Sequence, residues 1–86
     1  MTAEADPATV LIVEDDPSLR RVLMATLKAA GLRPVGARDG AEGRRWLAHY
    51  APDVVLLDLG LPDMDGLALI ATIRADRSYI TPILIY

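Results

Sequence analysis

Val54-Val55-Leu56-Leu57-Asp58-Leu59-Gly60-Leu61-Pro62-Asp63-Met64-Asp65-Gly66 is the stretch that decides the fold. Four apolar residues run without alternation into a carboxylate, and a Gly/Pro loop follows. Such a run suits a strand covered on both faces of a parallel sheet. Residues 54–59 are read as that strand, and residues 60–62 as its loop. Asp65 is read as the cap of a helix that turns Leu69, Ile70 and Ile73 inward.

The same logic extends toward the N-terminus. Residues 9–14 open with a β-branched, apolar run and end on Glu14, with Asp15 directly after. Asp16 followed by Pro17 is a helix N-cap with proline at the first helical position. Leu19, Val22, Leu23, Leu27 and Ala30 recur at helical spacing, and Gly31 stands where a helix ends, so a helix is expected over 17–30. Residues 32–37 read as a short strand whose Pro34 favours a sheet edge. Asp39 and Glu42 form a capping pair for a helix over 40–49 with the stripe Gly43, Trp46, Leu47 and Tyr50. Gly43 is a weak point there, costing about 1 kcal/mol against alanine. Residues 77–82 connect to a fourth strand, 83–86. The order βαβαβαβ implies a parallel sheet with helices on both faces and right-handed crossovers.

Composition limits the functions available. The chain has 86 residues, sized for one small domain, and a formal net charge of -3, which argues against a surface gripping nucleic acid phosphates. Without cysteine and with His49 as its one histidine, it excludes disulfides, thiolate sites and a multi-histidine zinc site. The start is polar and acidic, unlike a secretion signal, and no apolar run approaches the roughly 20 residues of a membrane span. A soluble cytoplasmic protein is expected.

Three carboxylates carry the chemistry. Open parallel sheets bind ligands beyond the carboxyl ends of their strands, where strand order reverses. If residues 9–14 and 54–59 are neighbouring strands, Glu14, Asp15 and Asp58 converge there. Three anions in one pocket repel, and a hard divalent cation such as Mg²⁺ relieves this better than protonation. Asp58 could then attack phosphorus as a carboxylate nucleophile. Each acid also has an ordinary reading: Glu14 and Asp15 as helix N-terminal acids, and Asp16, Asp63 and Asp65 as caps or solvated loop residues. His49 reads as a helix-end residue, and Arg20, Arg21, Arg44 and Arg45 as solvated helix surface. Docking of a partner by Arg20 and Arg21 is the alternative.

Val-Leu-Ile-Val-Glu-Asp-Asp at 10–16 and Val-Val-Leu-Leu-Asp-Leu-Gly-Leu-Pro-Asp-Met-Asp-Gly at 54–66 resemble the acidic strand end and phosphoacceptor loop of response-regulator receiver domains. The resemblance spans about residues 8–86. It implies a flavodoxin-like, doubly wound α/β fold with strand order 2-1-3-4, lacking the fifth strand and last two helices. Residues 1–8 are expected to be a disordered segment, and 9–86 a partial receiver domain. By this resemblance Asp58 is the phosphoacceptor and Asp15 a direct Mg²⁺ ligand. Glu14 acts on the metal mainly through water, and the Gly60 carbonyl supplies a further ligand. Pro62 would shape the loop, and Asp65 and Gly66 would start the helix. A sensor histidine kinase would donate the phosphoryl group. The loop wording resembles receivers of winged-helix transcription factors of the potassium-transport type, implying transcription control in a longer protein.

There are departures. The family carries a Ser or Thr just after the fourth strand and a Lys after the fifth, and neither falls within this sequence. Lys28 cannot take the lysine's role. The acceptor site is therefore expected without its switch, in a chain that is not an enzyme and contacts neither nucleic acid nor membrane. The exposed fourth strand offers a route to self-association, and a truncated binding or dimerisation module is the alternative. A phosphohydrolase of the haloacid-dehalogenase type needs an aspartate where Gly60 stands, and a nucleotide-binding fold needs glycines where Glu14-Asp15-Asp16-Pro17 stands.

Overall fold

A computed structural model describes residues 6–61, 66–76 and 81–86. Its elements are β1 (Thr9–Val13), α1 (Pro17–Ala29), β2 (Arg33–Ala37), α2 (Gly40–His49), β3 (Val54–Leu57), α3 (Gly66–Asp76) and β4 (Ile83–Ile85). The strands form one parallel sheet in the order β2-β1-β3-β4, so Pro34 does lie on an edge strand. Expectations for Pro62, Asp63 and Asp65, for most of the 77–82 connector and for residues 1–5 lie outside the described residues.

The two sheet faces are set by strand alternation. Leu11, Val13, Ala37, Val55 and Leu57 meet Leu47 of α2 and Leu69 and Ile73 of α3 in one buried cluster. Ile12, fully buried, points the other way, on the α1 side. Neighbouring glycines mark both contacts. A Cβ on Gly36 would lie 2.8 Å from Met24 Sδ of α1, and one on Gly43 would lie 3.2 Å from Val13 Cγ2 of β1. Gly43 is thus more than a weak helical position, because its missing side chain lets α2 close on the sheet.

The caps follow the sequence reading. Asp16 Oδ1 accepts from the backbone N–H groups of Ser18 and Leu19 at the start of α1. At its end Gly31 takes φ 89°, and the N–H groups of Gly31 and Leu32 donate to Lys28 and Leu27 carbonyls, a Schellman closure. Asp39 Oδ1 accepts from Glu42 N–H, and Glu42 Oε1 accepts from Arg38 N–H, one residue before the cap. Asp53 ties the strand starts together: its carboxylate accepts from Thr9 N–H and its own N–H donates to the Thr9 carbonyl.

Several expectations are corrected. The paired ladder ends at Val13, Leu57 and Ile85, short of the read boundaries of 14, 59 and 86, and single backbone bonds take over beyond it. The α1 stripe is rolled toward β2. No α1 residue is buried, Leu19 and Val22 are 40% and 60% exposed, and Ala30 is the exposed C-cap. The half-buried line is Arg20, Leu23, Met24 and Leu27, since Gly36 lets Arg20 and Met24 lie on the strand. In α2, Gly43 and Leu47 are buried and Trp46 half-buried, while Tyr50 is 58% exposed and packs on Trp46 at 4.9 Å between ring centroids.

Candidate functional site

The site is built where the ladder runs out. Past the paired residues, single backbone bonds continue across the sheet. Glu14 N–H donates to Ala37 O (2.9 Å) and Asp58 N–H to Val13 O (3.0 Å). Leu59 N–H donates to Tyr86 O and Tyr86 N–H to Leu57 O, both at 3.1 Å. These bonds fix Glu14, Asp58 and Tyr86 one residue beyond β1, β3 and β4, on one rim.

Glu14, Asp15 and Asp58 each bring a carboxylate oxygen within 4.8 Å of the others. Their settings differ: Glu14 is buried, Asp58 half-buried and Asp15 exposed. The rim therefore has a fixed acidic floor and an open side. Charges this close repel unless a cation or hydrogen-bond donors share the load. An all-oxygen donor set is the type that suits a hard divalent cation.

Donors already serve two of the three. Glu14, 2% exposed, accepts from Asp16 N–H at Oε2 (3.0 Å) and from the Tyr86 hydroxyl at Oε1 (2.6 Å). Gly60 N–H donates to Asp58 Oδ1 at 2.9 Å, folding the loop back on the carboxylate. Among the described residues no hydrogen bond reaches Asp58 Oδ2. The Tyr86 phenol is pushed above its ordinary pKa, first by partial burial, then by its bond to Glu14 and by the charges of Glu14, Asp58 and Asp15.

The structure thus brings together the acids expected from sequence, with Gly60 beside Asp58. The Asp16 side chain serves as the α1 cap, while its backbone N–H reaches the site at Glu14 Oε2. Two participants were not expected. Tyr86 was read as the apolar end of a strand, and Arg20 as solvated surface. Arg20 Nη1 instead donates to the Glu14 carbonyl at 2.7 Å, bracing the backbone that carries both β1 acids. The available signal was the six-residue gap from Glu14 to Arg20, which places the arginine one helical turn inside α1, over the strand end. For Tyr86 the signal was its place next to Ile85, which pairs with Leu57 just before Asp58.

Comparison with known proteins places these features in a family. A family model described as "Response regulator receiver domain" matches residues 10–86. The transcriptional regulatory protein KdpE of Mycobacterium tuberculosis is 42% identical over 65 residues, covering 76% of this chain and 29% of that protein. A protein-glutamate methylesterase/protein-glutamine glutaminase of Hahella chejuensis is 40% identical over 77 residues, covering 88% of this chain and 22% of that protein. Among solved structures, the Vibrio cholerae chemotaxis response regulator CheY4 has a TM-score of 0.88 at 34% identity, over 92% of this chain and 67% of that one. The chain therefore spans less than a third of either curated relative. Its sheet order and the three helices among the described residues match the CheY-like flavodoxin fold.

Proposed function

The chain belongs to the response-regulator receiver domain family, and from that premise we propose that Asp58 is its phosphoacceptor. The observation that carries this reading is the Asp58 carboxylate itself, held through Oδ1 by Gly60 N–H beside Glu14 and Asp15. Oδ1 is held, and Oδ2, which no hydrogen bond from the described residues reaches, is the oxygen that attacks. The new bond joins Oδ2 to phosphorus while the donor's bond to phosphorus breaks, and its electron pair leaves with the donor. The product is an acyl phosphate on Asp58.

The residues fit Mg²⁺: the donors are hard oxygens, three carboxylates converge, and Asp15 keeps an exposed side for entry. Asp15 and Asp58 would hold the ion directly, Glu14 through water, and Gly60 through its carbonyl. Mg²⁺ would supply charge neutralisation for the incoming phosphoryl group and a template for in-line transfer. Glu14 sets the charge of the floor, and Arg20 and Asp16 N–H keep it in place.

We infer that the donor is a sensor histidine kinase and that residues 9–86 act in the cytoplasm as a receiver unit, not as an enzyme. Transcription control belongs to a longer protein of the KdpE kind. No helix among the described residues is long and apolar enough to cross a membrane. The test is incubation with acetyl phosphate and Mg²⁺, read by intact mass. One phosphoryl group is expected, lost in Asp58→Asn and without metal. Equal labelling of Asp58→Asn would refute the acceptor assignment.

A further inference from the structure

We infer that the Tyr86 hydroxyl competes with the cation for the Glu14 carboxylate. The inference rests on the Mg²⁺ reading above. Its ground is the 2.6 Å bond from the Tyr86 hydroxyl to Glu14 Oε1. Hydrogen bonds to an ionised acceptor are short and about twice as strong as neutral ones. This one draws on the charge of the only buried acid of the three. The phenol therefore does part of a cation's work, stabilising Glu14 beside Asp15 and Asp58.

The sign follows from what else holds Glu14. Its other oxygen, Oε2, accepts from Asp16 N–H, and its backbone is fixed by Ala37 O and by Arg20. Removing the hydroxyl leaves the carboxylate in position but with one donor fewer sharing its charge, Asp16 N–H alone remaining on Oε2. The site then attracts a cation more strongly. A phenol needed to orient Glu14 would give the opposite sign.

The bond also links the site to β4. Tyr86 is tied by its backbone to Leu57 and Leu59, on either side of Asp58. A cation that weakens the phenol's bond changes the surroundings of the ring at the end of β4. Cation occupancy is therefore reported at that strand end.

The experiment is Mg²⁺ titration by calorimetry, with tyrosine difference absorption read in parallel, on the wild type, Tyr86→Phe, Glu14→Gln and the double variant. Tyr86→Leu serves as a second probe, with folding checked by circular dichroism. Tyr86→Phe is expected to bind Mg²⁺ roughly threefold to tenfold more tightly. That gain should vanish in the Glu14→Gln background. Wild type should show a tyrosine absorption change on Mg²⁺ addition that Tyr86→Phe lacks. Unchanged or weaker binding by Tyr86→Phe, with wild type still binding, overturns the inference and leaves the metal site standing. No Mg²⁺ binding by folded wild type overturns the metal reading and this inference with it.

Discussion

At the scale of single residues, the site depends on which atoms are already occupied. Asp58 Oδ1 is taken by Gly60 N–H, and both Glu14 oxygens are taken. The Asp16 side chain contributes its N-cap bonds, and its backbone N–H on Glu14 survives substitution, so Asp16→Ala should cost about 1 kcal/mol of stability in denaturant unfolding. The two closely packed glycines should respond differently. Gly43→Ala presses a methyl onto Val13, which is fully buried and cannot yield, and should destabilise by about 1–3 kcal/mol. Gly36→Ala meets the flexible tip of Met24 and should cost less in the same assay. The acids were legible in the sequence because Glu14 and Asp58 each end an unbroken apolar run and Asp15 adjoins Glu14. Arg20 and Tyr86 were not, because their bonds depend on how far a long side chain reaches across elements, and composition does not record reach.

At the scale of elements, the helices divide by how much each is covered. In α3, Leu69 and Ile73 are fully buried in the main cluster, as their spacing predicts. Ile73→Ala should therefore cost about 2–5 kcal/mol in chemical unfolding. In α1 the apolar residue Val22 is 60% exposed. Val22→Ser should change stability by no more than about 0.5 kcal/mol, as surface substitutions do. A loss near that of Ile73→Ala would mean that α1 is covered in solution. Strand and helix order was readable because both-face apolar runs and 3.6-residue spacing are strong, local signals. The roll of α1 was not, because helical spacing fixes a stripe but not which part of it meets the sheet. Here Gly36 decides that, by making room for Arg20 and Met24.

At the scale of the whole molecule, the sheet has β2 at one edge and β4 at the other. Pro34 interrupts the donors of β2, whereas β4 is apolar, with Leu84 57% and Ile85 45% exposed. For the 86-residue chain taken by itself, such an edge is a surface through which copies can pair. Sedimentation velocity should show this pairing rising with concentration, and Leu84→Lys should suppress it. Concentration-independent monomer in the unsubstituted chain would argue against an open β4 edge. The carboxyl rim of this sheet carries Asp58, where the phosphoryl group is expected to arrive. The most direct measurement is reductive trapping after reaction with acetyl phosphate and Mg²⁺, since borohydride converts an aspartyl phosphate to homoserine. Peptide mass spectrometry should find homoserine at position 58 alone. Homoserine at Asp15, Asp63 or Asp65, with Asp58 unchanged, would contradict the account.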